Sequence, residues 1–199
     1  MHAIVLIFGR GFSITPIGEK MKKQILRTTY AYLLSALFVI NTKAQYEVEK
    51  HYLGPSIGLS FLGSTAQLGL NYEYAFVIKD FGTVGAGGIF RYWGYKESFF
   101  GGSWSYTNIL IGGQFNYHFK IDNKKIDPWV GAVLAYDAGS VDLKSSNSIY
   151  YTEPSHGGMW LGFHGGTRYW ITPTIALMGR VGFGTLSYGA LELGVDFKF

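Results

Sequence analysis

Tyr188-Gly189-Ala190-Leu191-Glu192-Leu193-Gly194-Val195-Asp196-Phe197-Lys198-Phe199 is the stretch whose reading decides the fold. Gly189, Leu191, Leu193, Val195, Phe197 and Phe199 share one parity. Tyr188, Ala190, Glu192, Gly194, Asp196 and Lys198 share the other. A period of two places these sets on opposite faces of a β-strand. One face is apolar up to a final aromatic, and the opposite face carries three charges. A lipid-facing strand with a polar lumen behind it needs this arrangement.

Working outward from that strand, alternating segments separated by turn residues recur back to Ser56. The first runs from Ser56 to Leu62, with Ile57, Leu59 and Phe61 on one face. The second sets Leu68, Leu70, Tyr72, Tyr74 and Phe76 against Gln67, Gly69, Asn71 and Glu73. The third sets Phe90 and Tyr92 against Arg91 and Trp93. The fourth sets Ile109, Ile111, Phe115, Tyr117 and Phe119 against Gln114, Asn116 and His118. Pro128 opens the fifth, Trp129 to Tyr136, whose near-continuous apolar character leaves its facing undetermined. The sixth sets Met159, Leu161, Phe163 and Tyr169 against His164 and Arg168, and the seventh sets Leu177, Val181 and Phe183 against Met178 and Arg180. Adding the terminal strand makes eight, and the pattern predicts an all-β, eight-stranded, antiparallel up-and-down transmembrane barrel over residues 52–199. Short turns near Asp80, Asn123 and Pro173 are expected at the periplasmic end. Long loops are expected near Glu97 and over residues 137–156 at the outer end. Tyr74, Phe76, Tyr117, Phe119, Trp129, Tyr169, Phe197 and Phe199 are expected in one aromatic girdle, and Tyr92, Tyr95 and Tyr106 in the other.

The N-terminal part reads differently. Met21-Lys22-Lys23 and Arg27 precede the apolar run from Tyr30 to Ile40, and Thr42-Lys43-Ala44 offers a cleavage site before Gln45. Basic, apolar and cleavable is the order of an export signal over residues 21–44. Residues 1–20 are expected to be an over-extended start, the alternative being one long signal. Residues 45–51 form a short segment before the barrel. Six of the 17 basic residues and one of the 13 acidic ones lie in residues 1–44. The remaining 155 residues therefore carry 11 basic and 12 acidic side chains, and the pI near 9.1 reflects the export segment. Nucleic acid is thereby excluded as a partner. With no Cys in the chain, neither disulfides nor thiolate metal sites exist, and no metal or cofactor is expected.

The inward parity collects Glu73, Arg91, Arg168, Arg180, Glu192 and Asp196, with His118 and His164 on the same side. In a narrow lumen these charges must pair, because an unpaired buried ion costs several kcal/mol. The expected outcome is a polar plug; the competing reading is an ion-conducting path. Phe99, Phe100 and Trp104 of one long loop, with Tyr150, Tyr151, Glu153 and His156 of the other, are candidates for a binding surface at the mouth. Ser155, His156 and Asp142 or Glu153 supply the residue types of a nucleophilic triad, but adjacency of Ser and His in sequence is not triad geometry. Lipid A deacylases carry a His followed two residues later by Ser. Here His118 is followed by Phe119 and Lys120, and His164 by Gly165 and Gly166. No enzyme is expected.

The eight strands and the ending Leu193-Gly194-Val195-Asp196-Phe197-Lys198-Phe199 resemble the small outer-membrane β-barrel superfamily of OmpX, OmpA and OmpW type, including its glycine-rich "outer membrane protein beta-barrel domain" families. The resemblance implies an outer-membrane location in a Gram-negative bacterium, contact with membrane lipid, and a monomer. It also implies delivery by periplasmic chaperones and recognition of Phe197 and Phe199 by the barrel-assembly machinery. For function, a structural or surface-interaction role with a polar, plugged lumen is expected. The alternatives are a minor pore or carrier for small solutes and, third, a lipid-modifying enzyme.

Overall fold

The computed structural model describes residues 46–145, 152, 154–186 and 188–199. The export segment, Tyr150, Tyr151 and Glu153 lie outside the described residues. Nine strands follow in order: β1 (His51–Ser60), β2 (Thr65–Ile78), β3 (Gly82–Phe99), β4 (Gly102–His118), β5 (Ile126–Asp137), β6 (Ser140–Ser145), β7 (Gly158–Trp170), β8 (Ile175–Gly184) and β9 (Gly189–Lys198). All pairings are antiparallel, and none of the described residues is helical. β5 and β6 both pair with β4, β5 against Leu110–His118 and β6 against Gly102–Thr107. They are two halves of one barrel position, interrupted at Ala138-Gly139. Nine strands therefore fill eight positions, and the β1–β9 pairing closes the ring.

The register fixes the barrel's geometry. A rung leaving β3 at Thr83 passes through His118, Trp129, Gly166, Arg180, Glu192, Gly58 and Gln67, and returns to β3 at Trp93. That return lies ten residues beyond Thr83, which is the shear of this eight-position barrel. With ordinary strand rise and spacing, that shear tilts the strands by about 40°. The interior of such a barrel is just wide enough for side chains to fill.

Alternation decides what faces outward. Ile57, Leu68, Leu70, Ile111, Phe163, Leu177, Phe183, Leu191 and Leu193 are exposed, Leu193 to 65 %, while Glu192 beside it is 3 % exposed. The exterior is apolar and the interior polar, the inverse of a soluble barrel. β5, whose facing the sequence left open, presents Val130, Leu134 and Tyr136 outward and Asp127, Trp129, Val133, Ala135 and Asp137 inward.

Three sequence expectations are corrected. The stretch Lys96–Gly102 is not a loop: β3 and β4 continue in register to Phe99↔Gly102. Tyr95 stacks on Tyr106 with ring centres 4.4 Å apart, and Tyr106 donates to Glu97 Oε2 at 3.1 Å. Cross-strand contacts of this kind support a hairpin whose sequence shows no clean alternation. Likewise, Ser140–Ser145 within the expected long loop is a strand because β4 extends far enough to pair with it. Finally, Trp129 and the Tyr95/Tyr106 pair belong to the interior side rather than to the aromatic girdles: Trp129 is buried, and so is Tyr106.

Candidate functional site

The lumen holds two charged centres. The first is built on Glu192, whose cross-strand partner in the register is Arg180. Glu192 Oε1 accepts from Arg91 Nε at 2.9 Å, Arg180 Nη2 at 2.8 Å and Gln67 Nε2 at 3.1 Å, and Oε2 accepts from Ser56 Oγ at 3.0 Å. Asn71 Oδ1 bridges the two guanidinium groups, 2.5 Å from Arg91 Nη2 and 3.0 Å from Arg180 Nη1. Arg91 Nη1 also donates to the carbonyls of Phe90 and Leu70. One carboxylate thus holds two arginines, with neutral acceptors taking their remaining N–H groups.

The second centre is built on Arg168, which is directly opposite Asp127 in the register. Its Nη1 lies 3.1 Å from Asp127 Oδ2 and 3.4 Å from Glu73 Oε1, and its Nε donates to Asp196 Oδ2. His118 Nδ1 lies 2.8 Å from Asp127 Oδ1. His118 Nε2 is 3.2 Å from Glu73 Oε1 without hydrogen-bond alignment, so that contact counts as ionic proximity only. Asn116 Nδ2 donates to Glu73 Oε2, which leaves Asn116 Oδ1 to accept from His164 Nε2 at 2.6 Å. That places the His164 ring proton on Nε2. The rings of Trp129, Tyr52 and Tyr46 lie 4.8, 5.1 and 5.5 Å from the Arg168 guanidinium carbon. Cation–π contact there replaces part of the hydration that Arg168 gives up.

The segment before β1 closes the short-turn end. Tyr46 donates to Glu73 Oε1 at 2.7 Å and stacks on His118 with ring centres 3.6 Å apart. Burial, with Glu73 adjacent, pushes the Tyr46 hydroxyl well above its ordinary pKa, so it stays a donor. Tyr52 accepts from the Glu47 amide at 2.7 Å, and Glu47 pairs with Lys198 Nζ at 2.8 Å. Tyr46→Phe is expected to keep the stacking and lose one charge-assisted hydrogen bond, costing about 1–3 kcal/mol in urea unfolding. A cost indistinguishable from zero would show that Tyr46 does not seat in the lumen.

Toward the opposite end the charges give way to an apolar layer of Ile89, Trp93, Leu110, Val133, Ala135, Trp160, Tyr188 and Ala190. Tyr188 stacks on Trp93 with centres 4.5 Å apart, meets Trp160 edge-on at 5.4 Å and donates to Gln67 Oε1. Above this layer lies a polar cluster. With the Asn108 amide turned to face its partners, Nδ2 donates to Asp137 Oδ2 at 3.0 Å and His156 Nε2 at 2.8 Å, and Oδ1 accepts from Trp93 Nε1 at 3.3 Å. His156 also lies against Tyr106, with ring centres 5.1 Å apart.

Of the proposed mouth residues, the described ones, Phe99, Phe100, Trp104 and His156, do not gather at one point. Phe99 and Trp104 meet at the far end of the β3–β4 hairpin, with ring centres 6.1 Å apart, and Phe100 lies in its turn. The Phe99↔Gly102 pair is four rungs, roughly 13 Å of strand, beyond the Tyr95↔Tyr106 pair that adjoins His156. Asp142 stands on β6 opposite Ser105, while the Nε2 of His156 faces Asn108. Among the described residues, no three His, Asp or Glu side chains converge as a metal-ligand set. At the β1–β9 seam, Phe199 and His51 exchange two backbone hydrogen bonds at 3.0 Å, and the rings of Phe197 and Phe199 face outward.

All six charges read from the sequence as lumen residues are buried and ion-paired: Glu73, Arg91, Arg168, Arg180, Glu192 and Asp196. Sequence reading missed Asp127, because the apolar run after it hid the strand's parity, and Tyr46, because it precedes the alternation. Parity placed the amides as well: Gln67, Asn71, Gln114 and Asn116 all share the inward face and are buried. Glycine makes the room. A Cβ on Gly54 would fall inside the Asp196 carboxylate, and one on Gly85 would overlap Glu73. Beside the network, the open space near Arg91 and Trp160 is about 20 Å³ and that near Glu73 and Arg180 about 10 Å³. Each is of the order of a single water.

No protein-family model matches the chain, and comparison with curated proteins finds no match. Among solved structures, the fold is similar to that of the outer membrane protein OprG from Pseudomonas aeruginosa, with a TM-score of 0.57 and 12% identity, over 80% of this chain and 99% of that one. It is also similar to the N-terminal β-barrel domain of Pseudomonas aeruginosa OprF, with a TM-score of 0.50 and 15% identity, over 76% of this chain and 98% of that one. At such identities the likeness speaks to fold alone: the chain folds as a closed, antiparallel, eight-stranded barrel like these small outer-membrane barrels.

Proposed function

We propose that the chain is an integral outer-membrane barrel whose lumen is closed, so that its role is structural or surface-interacting rather than conductive or enzymatic. The observation that carries this reading is the pairing of the lumen charges at mid-barrel, where the spaces beside Arg91 and Glu73 measure about 20 and 10 Å³; a larger space of about 180 Å³, lined by Tyr46, His118 and Asp127, lies at the short-turn end. An apolar exterior beside a polar interior supports the membrane setting. The short turns then lie at the periplasmic side and the β3–β4 hairpin projects outward. In that arrangement the hairpin, with Phe99, Phe100 and Trp104 at its far end, is the part presented to the surroundings.

The deciding measurement is conductance of the refolded protein in planar bilayers. No steady current steps are expected. The Arg168→Leu/Arg180→Leu double variant is expected to lower stability and still conduct nothing. Stable steps in the parent protein would overturn the closed-lumen reading and favour a minor pore.

A further inference from the structure

A groove of about 490 Å³ runs over the outside of the barrel wall. Phe115, Ala132, Phe163 and Phe183 are successive partners on one rung of β4, β5, β7 and β8. The methyl of Ala132 therefore sits between two phenyl rings on neighbouring strands. On the next rung Tyr117, Val130 and Gly165 are partners, and Gly165 leaves the space beneath Phe163 open. The groove begins at Phe81 in the β2–β3 turn and at Tyr117 near the end of β4, and rises to Phe183. Its volume lies in the range of pockets that hold small ligands, and its lining is apolar apart from Tyr117 and His164, whose ring is turned inward onto Asn116.

What lies at its foot is charged. The β2–β3 and β4–β5 turns carry Lys79, Lys120, Lys124 and Lys125 against Asp80 and Asp122, a surplus of two positive charges. Lys79, Lys120 and Lys124 are exposed. Lys79 is two residues from Phe81 and Lys120 three from Tyr117, both of which line the groove. A long apolar slot ending at a basic rim matches one amphiphile: an acyl chain continuous with an anionic headgroup.

We propose that this groove binds one phospholipid with an anionic headgroup from the periplasmic leaflet. One acyl chain lies between Phe115 and Phe163 over Ala132 and Gly165, and the phosphate meets the lysines of the two turns. The proposal rests on the membrane reading above. Lysines near a lipid surface attract anionic headgroups, while the aromatic walls fix where along the wall the chain lies.

The test uses the full chain refolded into vesicles of phosphatidylglycerol and phosphatidylcholine in equal parts. Flotation is read first. The protein is then taken into mild detergent for native mass spectrometry of retained lipid. One retained lipid is expected, with phosphatidylglycerol favoured at least fivefold. Gly165→Leu, which fills the slot, is expected to cut retention at least tenfold, whereas Gly179→Leu on the same outer wall but outside the slot leaves it unchanged. Lys120→Gln/Lys124→Gln/Lys125→Gln is expected to keep a bound lipid and bring the headgroup preference near one. Folding of each variant is checked by heat-modifiable migration, and Ala132→Leu serves in place of Gly165→Leu where that variant does not fold. A folded, floating protein with retention insensitive to slot filling overturns the lipid site. So does a change of oligomeric state on slot filling, which would assign the groove to a second copy. Failure of the parent to float overturns the membrane reading instead.

Discussion

Glu192→Leu is expected to cost the folded barrel about 3–5 kcal/mol, because it leaves Arg91 and Arg180 as uncompensated buried charges. Both guanidinium groups lean on the same carboxylate oxygen, and Asn71 and Gln114 offer them dipoles without a balancing charge. The measurement is urea unfolding in phospholipid vesicles, followed by tryptophan fluorescence, since Trp93 and Trp160 lie in the layer just above. The Arg91→Leu/Arg180→Leu/Glu192→Leu triple variant is expected to regain most of the loss, as apolar replacements of a whole buried ion group do. A single-variant cost under about 0.5 kcal/mol, the range of exposed pairs, would mean that water reaches the network. The closed-lumen reading would then fall with it.

The second large effect separates inward glycines from outward ones. Gly54→Ala is expected to destabilise by about 2–4 kcal/mol, because its methyl displaces Asp196 and so weakens the pair with Arg168. Gly85→Ala acts the same way on Glu73 and on the Tyr46 hydroxyl 2.6 Å from the added carbon. Gly113→Ala and Gly179→Ala point outward, where the nearest atoms are 3.7 and 3.8 Å from the new carbon. These two are expected to be neutral or to stabilise by up to about 1 kcal/mol, through reduced freedom of the unfolded chain. Equal costs on the two faces would refute the packing role given to the inward glycines.

Much of the fold is legible in parity alone. Leu191, Leu193 and Phe197 against Glu192 and Asp196 settle the facing of β9, and the same rule places Arg91, Arg168 and Arg180 in the interior. The rule fails where both parities are apolar, as from Trp129 to Ala135. It fails again where strands continue past the alternating zone, as in β6 and the upper β3–β4 hairpin. In that hairpin, pairing is sustained by contacts such as Tyr95 on Tyr106 that no period announces.

The sequence by itself determined that this chain forms strands with one oily and one charged face, eight positions around, and which ionisable groups turn inward on every strand but β5. A two-residue period is local, so it survives without knowledge of neighbours. Only the tertiary structure decided who pairs with whom. Shear is a property of the closed ring: the ten-residue climb from Thr83 to Trp93 brings Glu192 between Arg180 and Arg91, residues 12 and 101 positions away in the chain. The same closure sets Arg168 among Glu73, Asp127 and Asp196, and lets Tyr46 reach Glu73 from outside the repeat. Such distances in three dimensions follow from how the ring closes, which no window of sequence contains.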